Sequence, residues 1–193
     1  MALIKLNPLL EDIRGKLGDM YVAKYGNQYR FKRRPKRKPE PGTAAQIAVR
    51  RRLIDSNGYW KRVKADPQAL AVYSLAGKLR QERGCDLAKS DFSHPPTVTN
   101  VDLAGYIGQA SGTIRIGAED DFEVLKVSVR ILGLDGTLLE EGDATLDASG
   151  GAWTYPTKAT IPAGTAVVVE ATAVDRPVHT DTKKVDHVCG PRV

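Results

Sequence analysis

The chain of 193 residues contains only two cysteines, few aromatic residues and no long apolar run. Cys85 and Cys189 lie far apart and neither belongs to a Cys-x-x-Cys pair. We therefore expect two free thiols in a reducing compartment rather than a disulfide framework. Aromatic residues make up 6% of the chain, so the core is expected to be largely aliphatic. Because no stretch approaches the ~18 apolar residues of a membrane span, no membrane partner is expected.

The N-terminus lacks the pattern of a secretory signal, because Lys5, Asn7 and Pro8 interrupt its apolar run and two acidic residues end it. We expect a cytoplasmic product. Export without a cleaved signal, or release by lysis as an extracellular or virion-associated protein, stays open. The composition, 41% hydrophobic and 27% charged, is that of a globular protein, and the length suits one or two domains.

Catalytic motifs are also lacking. The sequence contains no phosphate-binding glycine-rich loop. His94 stands before two prolines and His179 stands near Asp181, but the sequence pairs neither histidine with a nucleophile, which a catalytic triad requires. We expect a non-enzymatic protein with no cofactor and no small-molecule substrate.

Charge is distributed unevenly along the chain. Residues 1–90 hold 21 Lys/Arg against 8 Asp/Glu, a net charge of +13, whereas residues 91–193 hold 8 against 15, a net charge of −7. Most of the positive excess lies in one run, Arg30-Phe31-Lys32-Arg33-Arg34-Pro35-Lys36-Arg37-Lys38-Pro39. A basic segment ahead of an acidic one indicates either a polyanionic partner or a neighbouring copy of the same chain.

Residues 1–42 are predicted to form a basic β-hairpin arm. Two β-favouring, tyrosine-rich runs, 20–25 and 28–32, flank the turn signal Gly26-Asn27. An isolated hairpin is marginal in water, and its aromatic side chains lack the neighbours of an independent core. We therefore expect the arm to pack on the rest of the chain or on another molecule.

Residues 43–92 are predicted to form a helical hairpin. Thr43 and Gln46 make a capping box that opens the first helix, and Asp66-Pro67 ends it and caps the second. Gly84 is expected to cap the second helix at its C-terminus. The apolar stripe of the first helix is predicted at Val49, Leu53, Ser56, Trp60 and Val63. That of the second helix is predicted at Val72, Leu75, Ala76 and Leu79.

Residues 93–96 are predicted to be a linker, because consecutive prolines hold the chain extended. From Thr97 onward, short β-rich segments alternate with turn signals. The predicted strands are 97–103, 113–118, 125–132, 137–141, 152–158, 165–174 and 182–188. Seven strands at this spacing predict an all-β antiparallel sandwich of immunoglobulin or fibronectin-III type over 97–193, and with the helices an α+β chain. Trp60 and Trp153 are predicted packing anchors.

Several short motifs run along nearly the whole chain, at residues 13–19, 41–46, 90–92, 118–124, 153–155 and 173–177. With these motifs the chain resembles a group of bacterial proteins, some of them related to phage- or prophage-encoded ones. The resemblance implies a basic hairpin, a helical pair and a C-terminal immunoglobulin-like domain, and it implies no known activity. In that group a glycine tends to follow the Arg-Pro pair, whereas this chain has Val178.

The basic run is the strongest functional signal, and three hypotheses stay open for it. It binds nucleic acid through phosphate contacts and base stacking, it docks on an acidic patch of a neighbouring subunit, or it is a solvated linker stiffened by prolines. The candidate contact residues are Tyr25, Tyr29, Arg30, Phe31, Lys32, Arg33, Arg34, Lys36, Arg37 and Lys38.

Acidic side chains offer a candidate counter-surface. Its members are Glu119, Asp120, Asp121 and Glu123. With Asp91 they present the oxygen ligands that Ca²⁺ prefers, but the EF-hand spacing is absent, so a solvated or partner-facing loop is favoured and no metal site is predicted. His187 and Cys189 fall short of the four ligands of a structural zinc site, which favours a frayed tail there.

The sequence favours a structural protein that forms a homo-oligomer or larger assembly. If the arm of one copy docks on the acidic region of the next and the contacts do not close into a ring, a filament results. A phage-related virion component is one version of this hypothesis. The alternative is a nucleic-acid-binding protein that uses the basic arm on phosphates.

Overall fold

The computed structural model describes residues 2–4, 15–25, 28–34, 42–148 and 150–190. The chain folds as two compact units, Met1–Ile47 and Ala48–Val193. The described residues form three helices and three antiparallel sheets of four strands each, an α+β fold. The division into four regions that the sequence indicates stays a prediction.

The N-terminal unit contains a four-stranded sheet. Its strands are β1 (Ala2–Ile4), β2 (Gly15–Leu17), β3 (Met20–Tyr25) and β4 (Gln28–Arg33). Strands β3 and β4 are the two predicted hairpin strands, whereas the residues of the predicted Gly-Asn turn lie outside the described residues. The strand order β1-β4-β3-β2 gives the hairpin a further strand on each side, which the sequence analysis did not predict and which a marginal hairpin needs for stability.

The first two helices begin where the sequence indicates, and a third, which the sequence analysis did not predict, follows them. They are α1 (Ala44–Ala65), α2 (Pro67–Arg80) and α3 (Gly84–Ser93). The predicted capping box is confirmed, because the Thr43 N–H donates to Gln46 Oε1 at 3.2 Å and the Gln46 N–H donates to Thr43 Oγ1 at 3.3 Å. Asp66 caps α2 by accepting from the Gln68 N–H at 2.9 Å.

The buried faces of the first two helices match the predicted stripes only in part, since Ser56 and Val63 are buried as predicted. Helix α1 buries Ser56, Tyr59 and Val63, whereas α2 buries Tyr73 and Gly77. Of the predicted stripes, four members are large aliphatic side chains left mostly in solvent, namely Val49, Leu53, Leu75 and Leu79. The aliphatic periodicity misidentified the faces because two tyrosines, rather than the leucines, fill the space beneath the helices.

Gly84 does not cap α2, contrary to the prediction. The left-handed residue is Gln81, with φ 58°, and the next N–H, that of Glu82, donates to the Gly77 carbonyl at 2.8 Å. Gly84 instead begins α3, where a Cβ atom would lie 2.9 Å from the Tyr73 carbonyl oxygen. Glycine is required there because α3 starts against the backbone of α2.

Eight strands form the rest of the C-terminal unit. They are β5 (Thr97–Gly105), β6 (Thr113–Glu119), β7 (Val124–Gly133), β8 (Leu138–Asp143), β9 (Thr145–Leu146), β10 (Trp153–Pro156), β11 (Ala166–Asp175) and β12 (Thr180–Val188). All seven predicted strands are present with shifted ends, and only the two-residue β9 was missed. The strand orders are β5-β6-β10-β9 and β12-β11-β7-β8, and the two sheets share one core in a β-sandwich-like arrangement.

The sandwich core is largely aliphatic, as expected. Alternate residues of β7, Val127, Val129 and Ile131, are completely buried, which is the pattern of a strand with one face inward. Trp153 anchors this core as predicted. Cys189 also lies in it, so the expected frayed tail is wrong at that residue. Both cysteines are free thiols.

A second core lies beneath the helices. Its buried members are Tyr59, Val63, Tyr73, Leu87 and Ala88, with Trp60 packed against them. Phe122, from the connection between β6 and β7, stacks on Tyr73 with ring centroids 4.9 Å apart. The helices of this unit therefore pack on one end of the sandwich.

Candidate functional site

The candidate contact residues on β4 range from buried to exposed. Tyr29 is 5% exposed, with Lys24 Nζ 5.4 Å from its ring centroid. Arg30 and Lys32 are half-buried, and Arg33 is exposed. Arg34 is exposed just beyond the strand, and Phe31 is half-buried. The side chain of Tyr25 and all of Lys36, Arg37 and Lys38 lie outside what the structure describes.

The pairing of β3 with β4 places basic and aromatic residues on both faces of the sheet. Tyr21 pairs with Lys32 and Ala23 with Arg30, so these four residues share one face of the sheet. Tyr29 and Phe31 belong to the opposite face, with Lys24 and Arg33. Each face of the sheet thus carries two basic residues of this hairpin.

The four acidic candidates are not equivalent. Glu119 is exposed at the end of β6. Asp121 Oδ2 accepts from the Ser90 hydroxyl at 3.0 Å and lies 3.2 Å from His94 Nδ1. Glu123 forms a 2.6 Å ion pair with Arg176. Asp121 and Glu123 are thus engaged within the chain.

Ser90, His94 and Asp121 make a serine–histidine–aspartate group that the sequence did not reveal. A nucleophile relay requires the two imidazole nitrogens to serve the serine and the acid separately. Here Nδ1 of His94 faces the Ser90 hydroxyl at 3.4 Å, the Asp121 carboxylate and the Ser90 carbonyl oxygen at 3.0 Å. The group therefore ties the end of α3 to the β6–β7 connection and lacks the geometry of a relay.

The fourth candidate, Asp120, belongs to a different cluster. One carboxylate oxygen each of Asp91, Asp120 and Asp175 lies within 4.8 Å of the other two. We call these three residues the acid cluster. Asp91 comes from α3, Asp120 from the β6–β7 connection and Asp175 from the end of β11, so three elements converge there.

Hydrogen bonds hold each member of the acid cluster. The Tyr73 hydroxyl donates to Asp91 Oδ2, and this hydroxyl lies 2.7 Å from that of Tyr59. Asp120 Oδ1 accepts from the backbone N–H groups that follow it, at 2.8 and 3.1 Å. Asp175 accepts from the backbone N–H of His179 at 2.5 Å and lies 2.9 Å from its Nδ1.

Burial shifts the protonation of this cluster. It raises the pKa of Asp91 to about 7, because desolvation disfavours the charged carboxylate. The Tyr73 hydrogen bond lowers the pKa of Asp91 in part, while the neighbouring charges of Asp120 and Asp175 raise it. Burial also raises the pKa of Asp120. For Tyr73, burial and the bond to Asp91 raise the pKa.

Sequence reasoning missed Asp175, Tyr73 and the inward position of Asp120. The three cluster members lie in three of the motifs on which the resemblance rests, at 90–92, 118–124 and 173–177. The occurrence of all three aspartates in those motifs was the available signal of a common site. Nothing in the sequence indicated that these motifs meet.

Fold and site together define an α+β protein with a β-sandwich-like part that carries helices at one end. No protein-family model matches the chain, and no curated protein matches it. No helix among the described ranges is long and apolar enough to cross a membrane.

Three solved structures are similar to part of the chain. CopC from Methylosinus trichosporium is 18% identical with a TM-score of 0.38, covering 51% of this chain and 96% of that one. An engineered protein is 20% identical with a TM-score of 0.36, covering 50% and 20%. A conjugative transposon lipoprotein from Bacteroides eggerthii is 16% identical with a TM-score of 0.25, covering 47% and 92%.

Proposed function

We propose that this chain is a non-enzymatic assembly protein whose basic N-terminal unit docks on an acidic surface of a neighbouring copy. The observation that carries the proposal is the difference in charge between the N-terminal unit and the sandwich, the helical segment 48–90 of the second unit being itself basic. Residues 1–47 hold 11 Lys/Arg against 4 Asp/Glu, and residues 91–193 carry the acidic excess. Complementary charge steers association and fixes its register. A heterologous contact of this kind grows into a filament unless it closes, and a phage-related virion component fits such a role.

Exposed apolar side chains on α1 support association of copies. Val49 and Leu53 are 63% and 58% exposed, and they lie four residues apart on one face of the helix. Ile54 is also exposed. Neighbouring apolar residues on a helix surface are typical of protein contacts, and a second copy would remove them from water.

We also propose that the sandwich is of immunoglobulin type. If β5 to β12 are lettered A, B, C, C′, D, E, F and G, the two sheets read A-B-E-D and G-F-C-C′. This order supports the proposal because immunoglobulin sandwiches place A, B, E and D in one sheet and C, F and G in the other. Immunoglobulin-like domains commonly serve as interaction modules, in keeping with an assembly role.

Charge reversal on β4 tests the assembly proposal. The double variant Arg33→Glu/Arg34→Glu changes two exposed charges beside the sheet, and light scattering at low salt measures the mass. We expect the wild-type chain to associate and the variant to lose association. The double variant Lys61→Glu/Lys64→Glu is the matched control, since it changes the net charge equally on α1.

Two results would contradict the proposal. One is a wild-type chain that stays monomeric at low salt and high concentration. The other is a β4 variant that associates as well as the wild type does.

Nucleic-acid binding is the second candidate function. The pair of Tyr21 with Lys32, on the same sheet face as Arg30, favours it, because ring stacking beside phosphate-binding cations is how single strands are held. Tyr29 is buried, so its ring would not join such a face. Titration of labelled single-stranded DNA and RNA at increasing salt tests this candidate, which predicts affinity that falls as salt rises. Absence of binding at low ionic strength excludes it.

A further inference from the structure

The acid cluster contains carboxylate oxygens that hydrogen bonding within the chain does not satisfy. Asp91 is 0% exposed, and its Oδ1 has no hydrogen-bond partner among the described residues. Asp120 Oδ2 is likewise buried, with no partner in the described part of the chain. Buried polar atoms are almost always paired, and an unpaired charged oxygen is strongly unfavourable. Two such oxygens in one cluster indicate a positively charged ligand.

The nearby basic side chains are engaged with other acids. His179 Nδ1 lies 2.9 Å from Asp175 Oδ2, and Arg176 pairs with Glu123 at 2.6 Å. Within the described residues, neither is hydrogen-bonded to Asp91 or Asp120. Among the described residues, these two carboxylates therefore have no basic side chain as a hydrogen-bond partner.

The donor set and its spacing indicate which class of ion would fit. All three ligand groups are carboxylates, the hard oxygen donors that Ca²⁺ and Mg²⁺ prefer over softer metals. Calcium binds oxygens at about 2.3–2.6 Å, so oxygens on opposite sides of the ion lie about 4.6–5.2 Å apart. The cluster oxygens, which all lie within 4.8 Å of one another, are close enough to share one such ion. Magnesium demands a tighter, near-octahedral shell.

We propose that Asp91, Asp120 and Asp175 together bind a divalent cation of the hard, oxygen-preferring class, with Ca²⁺ as the first candidate. The ion would join α3 to the β6–β7 connection and to the end of β11. Asp120, which is only half-buried, gives the site a side toward solvent, from which water could complete the shell. The raised pKa of Asp91 means that protons compete with the metal.

Calcium titration of the full chain tests the site directly. Calorimetry measures the affinity and stoichiometry, and Tb³⁺ luminescence excited through tyrosine reports an ion near Tyr73. We expect one Ca²⁺ per chain and a melting temperature several degrees higher in Ca²⁺ than in chelator. Asp91→Asn and Asp120→Asn should each weaken binding by about tenfold or more. Glu119→Gln is the matched control, because it removes a neighbouring exposed carboxylate that lies outside the cluster, and it should leave the affinity unchanged.

The outcomes distinguish a cluster that binds a metal ion from one in which Asp91 is protonated. A wild-type chain that shows no binding heat and no change of melting temperature with millimolar Ca²⁺ overturns the proposal, and Asp91 then keeps a proton in place of a metal. Equal weakening by Glu119→Gln also overturns it, because the effect would then be one of surface charge. If an asparagine variant fails to fold, by circular dichroism, the calcium dependence of the wild-type melting temperature decides.

Discussion

At the residue scale, two buried acids of the C-terminal unit are stabilised in different ways. Glu140 accepts three hydrogen bonds, from the Tyr155 hydroxyl at 2.7 Å and from the backbone N–H groups of Lys158 at 2.6 Å and Ala159 at 3.0 Å. Asp91 has one unpartnered oxygen within the described residues. Glu140 is therefore a structural acid, whereas Asp91 requires a proton or a ligand.

Removing the Glu140 carboxylate should be costly. We expect Glu140→Ala to lower the free energy of unfolding by about 3 kcal/mol, because a buried hydroxyl and two buried N–H groups lose a charged acceptor. Glu141→Ala, at an exposed neighbour whose ion pair with Arg130 measures 3.8 Å, is the control and should change stability by less than about 0.5 kcal/mol. Urea unfolding measures both. Equal effects of the two substitutions would refute the assignment.

The protonation of Asp91 predicts how stability depends on pH when a chelator is present. Its folded pKa of about 7 lies above the unfolded value of about 4. Protonated Asp91 is therefore favoured by folding, and its contribution is complete below about pH 4 and is lost as the pH rises through 7. We expect the free energy of unfolding to fall between about pH 4 and 7, by about 1.3 kcal/mol per pH unit at the steepest point, and to level off above that range.

Asp91→Asn isolates this effect from the other charged groups around it, namely Asp120, Asp175 and His179. The variant should show a flatter pH profile than the wild type in chemical denaturation with chelator. An unchanged slope would contradict the assignment of the pH dependence to Asp91.

At the element scale, the β11–β12 turn combines a strained residue with a structural cap. Val178 has φ 73°, a left-handed conformation that is unfavourable for a β-branched side chain. Asp175 holds the turn through both of its bonds to His179. The glycine that the resemblance implies after the Arg-Pro pair would occupy this position without strain.

Val178→Gly should therefore stabilise the protein by about 1 kcal/mol, since relief of left-handed strain exceeds the greater flexibility of unfolded glycine. Val178 is exposed, so no packing is lost. Val188→Gly, at an exposed strand position, is the control and should destabilise. Thermal unfolding compares the two variants. A lower melting temperature for Val178→Gly would show that the backbone of Val178 is not strained.

The elements differ in how far the sequence predicts them. Strand β7 was predictable because Val127, Val129 and Ile131 alternate with polar residues, and α2 because Asp66-Pro67 carries its own cap. The buried faces of α1 and α2 were not fully predictable from the sequence. Both aliphatic side chains and tyrosines recur at helical spacing there, and only packing determines that the tyrosines are buried. The acid cluster was unpredictable for a related reason: Asp175 reaches Asp91 through the sandwich topology, which a linear pattern does not encode.

At the scale of the whole molecule, basic residues prevail in the N-terminal unit and in the helical segment 48–90, which holds 10 Lys/Arg against 4 Asp/Glu, whereas acidic residues prevail in 91–193. Net charge alone, +6 for the chain, favours a nucleic-acid partner. The partition adds a second possibility, because each copy then carries both halves of a complementary contact. Exposed Val49 and Leu53 on α1 add apolar area to such a contact, so we expect salt to weaken the assembly without abolishing every contact.

Sedimentation velocity of the full chain tests the assembly claim most directly. Runs over a wide range of protein concentration, at about 50 mM and about 500 mM salt, separate charge-driven association from apolar contacts because screening grows with ionic strength. We expect species larger than a monomer, whose share of the protein rises with concentration and falls at high salt. A single monomeric species at every concentration and in both salts would contradict it.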